Sequence, residues 1–74
     1  MRRYTVVVHP AEEGGYWVDA PAIPGCYSQG ETVEEALESI REAIEAHLVA
    51  LREDGQSIPE ERGLVVQQVE VVAA

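Results

Sequence analysis

Few side chains in this 74-residue sequence are of a type that does chemistry. Cys26, His9 and His47 are residue types that hold zinc, and a cysteine with a histidine base is the pattern of an activated nucleophile. Zinc sites bring such ligands in close pairs, whereas these three are far apart and belong to separate elements. Asp19, Glu35 and Asp54 are the kind of carboxylates that hold magnesium. Glu35, however, is spaced for a helix cap, and Asp54 stands beside Gly55 at a helix end. The expectation is therefore no catalytic residue, no metal site and no cofactor, with Cys26 a small packed thiol.

The other candidates are groups that bind. Seven acids lie between Val33 and Asp54, namely Glu34, Glu35, Glu38, Glu42, Glu45, Glu53 and Asp54, against Arg41 and Arg52, a surplus of five negative charges. A solvated helix face, supported near its start by the helix dipole and by pairs such as Arg41 with Glu45, is the plain reading. The sharper reading is a charged surface that attracts a basic partner, with Glu34, Glu38, Glu42 and Glu45 as its contacts. Trp17 and Tyr27, with Asp19 beside them, are either ordinary sheet residues or the anchors of an interface.

These groups need elements to hold them. In Ile23-Pro24-Gly25-Cys26 the proline fixes φ for the second residue of a type II turn, and Gly25 accepts the positive φ of the third. Cys26 to Gln29 then runs extended as far as Gly30. Thr32 is an N-cap with Glu35 three residues on, the capping-box pattern. From Val33 the apolar residues Leu37, Ile40, Ile44, Leu48 and Leu51, with Ala36, Ala43 and His47 alongside, wind one stripe around a helix that stops at Gly55. Upstream, residues 3 to 9 alternate, placing Tyr4, Val6 and Val8 on one face and Arg3, Thr5, Val7 and His9 on the other. Tyr16 to Ala20 answers them across a glycine turn, with Tyr16, Val18 and Ala20 inward and Trp17 and Asp19 outward. Leu64 to Val72 is a last strand, apolar on both faces, which calls for cover on both. The predicted fold class is α+β, in the order strand-strand-strand-helix-strand, a mainly antiparallel sheet with one long helix on one face. The face bearing Val7, Trp17 and Tyr27 is left open for association.

Composition narrows the function classes. Fourteen acids against five basic residues give a net charge of −9, which repels phosphate backbones and disfavours nucleic-acid binding. A single cysteine excludes an internal disulfide and fits a reduced cytoplasmic setting. No apolar run approaches the roughly 20 residues of a membrane helix. A chain this short buries a modest core, so a homodimer or higher homo-oligomer is expected.

The runs Gly14-Gly15-Tyr16-Trp17-Val18, Ile23-Pro24-Gly25-Cys26, Gln29-Gly30-Glu31-Thr32-Val33-Glu34-Glu35-Ala36, Asp54-Gly55 and Ile58-Pro59 span nearly the whole chain. In that order and spacing they resemble the HicB-like antitoxin family. The resemblance implies a partial ribonuclease H-like fold without catalytic carboxylates, one domain over residues 1–74. It also implies the task of silencing a small basic HicA-type toxin ribonuclease by covering its active site. Many members of the family continue into a ribbon-helix-helix or helix-turn-helix segment that binds operator DNA. This sequence stops at Ala74, so no direct DNA binding is expected of it. A stand-alone regulatory or small-molecule-binding domain of the same fold is the second reading. A surviving magnesium-dependent nuclease is the third.

Overall fold

The branched and aromatic residues that follow the first turn signal pair where alternation places them. In the computed structural model, which describes residues 2–73, β1 (Val7–Pro10) runs antiparallel to β2 (Tyr16–Asp19), with Val8 opposite Val18 and His9 opposite Trp17. β3 (Tyr27–Gly30) takes the other side of β2, with Val18 opposite Ser28 and Asp19 opposite Tyr27. The sheet order is β1-β2-β3, and α1 (Val33–Glu53) covers one face. The α+β class holds, as three antiparallel strands followed by one long helix.

Two successive turns join β2 to β3. The Ile23 N–H donates to the Ala20 carbonyl at 2.9 Å and the Cys26 N–H to the Ile23 carbonyl at 3.1 Å, with Gly25 at φ +80° as a type II turn requires. The excursion drops Ile23 and Cys26 into the core, which they share with Val18, Ala20, Ala36, Ile40 and Ile44. Tyr4, Val6, Val8, Tyr16, Ala43 and Leu48 pack around that cluster, so the inward faces read from the strand pattern are those observed.

Gly30 sets how near the helix lies to the sheet. A Cβ there would stand 2.4 Å from the Ala36 nitrogen and 2.9 Å from its Cα, so only glycine lets β3 touch the first helical turn. Thr32 caps that turn, its Oγ1 accepting from the Glu35 N–H at 3.1 Å. The Glu35 side chain reaches back, but to the Glu31 N–H at 3.2 Å, one residue before the cap. At the far end the Gly55 N–H donates to the Arg52 carbonyl and the Gln56 N–H to that of Leu51, the paired bonds of a Schellman stop.

Three expectations are corrected. The first strand is shorter than residues 3 to 9. The register places Thr5 opposite Pro21, which has no N–H to give, and the Thr5 N–H is itself taken by the Glu61 carboxylate. The last strand, Leu64 to Val72, is not formed within the single chain: these residues are exposed and have no sheet partner. Consistent with that, the radius of gyration is 14.5 Å, against roughly 11 Å for a compact chain of this length. Leu37, placed in the helix's apolar stripe, is 41% exposed, because the stripe is wider than three strands can cover.

Candidate functional site

Strand alternation collects the outward-facing candidates on one surface. Val7, Asp19 and Tyr27 are cross-strand neighbours, and so are His9, Trp17 and Gln29 in the adjoining row. The His9 ring stacks on Trp17, with centroids 3.8 Å apart and planes 10° from parallel. Its Nε2 lies 2.9 Å from Asp19 Oδ1. An ionised carboxylate only accepts, so Nε2–H donates and the ring is held edge to acid and face to indole. Trp17 remains 43% and Tyr27 71% exposed. Below them, a shallow hollow beside the Pro24 turn is lined by Trp17, Asp19, Pro24, Gly25 and Tyr27.

By residue type His9 is a candidate metal ligand or base; only the hairpin register sets it opposite Trp17. Cys26 lies in the core, where burial pushes its thiol pKa up and away from nucleophile chemistry. His47 is on α1, so His9, Cys26 and His47 do not meet, and among the described residues no three metal-binding side chains cluster.

The acidic candidates occupy the opposite side of the molecule. At about 100° per helical residue, Glu34, Glu38, Glu42 and Glu45 fall within roughly 80° of arc, turned away from buried Ile40 and Ile44. The first three are exposed on the helix's outer side, and Glu45 stands on the rim of a groove between α1 and the start of the chain. The Arg41–Glu45 pair is not formed; the ion pairs among the described residues are Arg2–Glu60, Arg62–Glu60 and His9–Asp19. Trp17, Asp19 and Tyr27 therefore share one surface, and the helix glutamates form another behind it. Pro24, Gly25, Cys26, Gly30, Thr32, Glu35 and Gly55 are where the fold needs them, shaping turns, caps and the helix approach.

The connector after the helix is tied down by a site that the sequence did not reveal. Glu61 accepts from the Thr5 N–H at 2.5 Å and from its hydroxyl at 2.6 Å, while the Tyr4 hydroxyl donates to the Pro59 carbonyl at 2.5 Å. The Thr5 hydroxyl and then its N–H hold the Glu61 carboxyl below its ordinary value. No local pattern announces a contact between residues so distant in sequence.

A two-layer α+β domain with an aromatic outer sheet face and a capped acidic helix behind it has the anatomy of a small binding domain. Residues 4–71 match the family described as the HicB-like antitoxin of bacterial toxin-antitoxin systems, and this chain belongs to that family. It is 46% identical over 57 residues to a UPF0150 protein of Thermoplasma acidophilum, covering 77% of this chain and 83% of that one. Against antitoxin HicB 1 of Photorhabdus laumondii it is again 46% identical over 57 residues, covering 77% of this chain but only 37% of that longer protein. The crystal structure of the Burkholderia pseudomallei antitoxin HicB superposes with a TM-score of 0.71 at 38% identity, covering 78% of this chain and 44% of that one. No helix among the described residues is long and apolar enough to cross a membrane.

Proposed function

We propose that this chain is a non-enzymatic antitoxin domain that binds a small basic HicA-type toxin ribonuclease and covers its active site. The observation that carries the reading is the open sheet face, where exposed Trp17 and Tyr27 flank Asp19 beside a hollow able to receive a partner's side chain. Aromatic anchors around a carboxylate suit the arginine and lysine side chains of a basic protein, through cation–π contact and ion pairing together. The acidic helix acts at longer range, raising the rate of encounter between a chain of net charge −9 and a cationic partner. The same charge disfavours direct binding to DNA. The domain works as a homo-oligomer in the cytoplasm.

The test uses a purified HicA-type ribonuclease and an RNA cleavage assay. Addition of this chain should stop cleavage. Trp17→Ala or Tyr27→Ala should weaken inhibition by about 2 kcal/mol, roughly 30-fold in Kd. Replacing Glu34, Glu38 and Glu42 by lysine should slow association and flatten its salt dependence while leaving dissociation nearly unchanged. Failure to bind the toxin at all, or magnesium-dependent cleavage of RNA by the purified chain itself, would overturn the proposal. A small molecule seated in the hollow beside Pro24, with no toxin binding, would favour a regulatory domain instead.

A further inference from the structure

The helix has more apolar surface than its sheet can cover. Leu37 and Leu48, the less buried members of the stripe, line with Ile40, Ile44, Tyr4, Val6 and Ile58 a groove of about 710 Å³ between α1 and the residues that lead into β1. It opens beside the residues that lead into β1, an edge strand whose outer side has no partner among the described residues. The chain also holds a segment with the character of that strand. Leu64 to Val72 carries Leu64, Val65, Val66, Val69, Val71 and Val72, all exposed, on both of its faces.

The segment does not enter its own groove. Glu61 and Pro59 are fastened to Thr5 and Tyr4. Only Arg62 and Gly63 separate that anchor from Leu64, and Gly63 takes φ +64°, turning the chain outward. Exposure then rises from 45% at Leu64 to 99% at Val72, as expected of a segment leading away from its own body. A hinge this short favours exchange with a neighbour over folding back.

We infer that residues 64–72 of each copy occupy the groove and β1 edge of a second copy, a reciprocal strand exchange that makes the protein a dimer. Charge agrees with this occupant. Arg2, Arg41 and Arg52 line the groove against the single acid Glu45, a net positive lining on a molecule that is otherwise strongly acidic, and the one ionisable side chain of the segment is Glu70. Size agrees as well. Nine strand residues and the eleven that line the groove come to twenty on each protomer, the lower end of the roughly 20–30 a side of a specific interface. The inference rests on the self-association part of the proposed function and is independent of the toxin, so ribonuclease inhibition and strand exchange can fail separately.

The experiment mixes isotopically heavy and light full-length chains, each carrying Leu37→Cys labelled with a benzophenone maleimide. Buried Cys26 is shielded from the reagent. After exchange and illumination, the tryptic peptide that follows Arg62 should be joined to the peptide carrying position 37, with about half of the pairs mixing heavy and light mass. Light scattering at micromolar concentration should give twice the monomer mass, falling to the monomer when the chain is ended at Gly63. Val66→Glu with Val69→Glu should do the same while keeping the helical circular dichroism. Pairs of like isotope alone would mean that the strand folds back on its own chain. That result, a dimer that survives removal of residues 64–74, crosslinks only to other segments, or a monomer at the outset would each overturn the inference.

Discussion

Adding one methyl group at Gly30 tests the close approach of helix to sheet directly. Alanine would place its Cβ 2.4 Å from Ala36 N, 2.8 Å from Glu35 C and 2.9 Å from Ala36 Cα, where ordinary contact begins near 3.4 Å. Two effects oppose one another. Relieving a strand of glycine's backbone entropy is favourable by roughly 0.5–1 kcal/mol, whereas overpacking costs about 1–3 kcal/mol. The obstructing atoms are all backbone, so no side chain can rotate aside, and α1 must shift by about 1 Å; the cost belongs at the top of that range. A net loss of about 2 kcal/mol follows, or a fall in Tm of roughly 8–16 °C for a domain of this size. Urea unfolding followed by far-ultraviolet circular dichroism measures it. Ala36→Gly should bring no rescue, since the clash is with the Ala36 backbone and not with its methyl group. A Gly30→Ala protein as stable as the parent, or more so, would refute the close approach and leave only the entropic gain.

Two further outcomes follow from contacts at the helix start and the connector. Thr32→Ala removes the acceptor of the Glu35 N–H and should cost about 1 kcal/mol in a thermal melt, with Thr32→Ser close to the parent; equal melts for all three would remove the cap from the account. Glu61, its carboxyl held below the ordinary value of 4.5, stabilises the folded chain at neutral pH, and that contribution is lost as pH falls through the lowered folded-state value. Glu61→Gln should therefore be less stable than the parent at pH 7, with the difference closing as pH falls below the ordinary carboxyl range. A gap that widens on acidification would contradict the sign.

What could be read from the residues was whatever rests on local rules. The Pro24-Gly25 turn, the Thr32 cap, the Gly55 stop and the inward set Tyr16, Val18 and Ala20 each follow from dihedral preference or strand alternation, and each stands as expected. The start of β1 differs from the reading because it depends on Pro21, in the turn after β2, and on Glu61, which takes the Thr5 N–H. The last strand was legible as a strand-forming segment but not as an unpaired one, since pairing depends on the two-residue hinge after Glu61. For the candidate site, alternation placed Trp17, Asp19 and Tyr27 together. Only the register revealed that His9 completes the group and that the helix glutamates stand behind it.

The arrangement of surfaces leaves room in one small chain for both proposed roles, self-association and capture of a partner. A sheet with a helix on one side offers two broad faces and two thin edges. Exchange of residues 64–72 would use the β1 edge and the groove beneath it, extending the sheet sideways without covering Trp17 and Tyr27 on its outer face or Glu34, Glu38 and Glu42 on the helix. The outer side of the exchanged strand would lie beside Val7 and His9, widening the apolar ground around the aromatic pair. Among the described residues the buried core holds only Val, Ala, Ile and Cys side chains, with Tyr4 and Tyr16 packed against it and Trp17 and Tyr27 exposed. A second copy is thus the natural source of the missing burial. Dimerisation at the edge and binding at the face are then complementary: the first completes the fold, and the second uses a surface that the first leaves free.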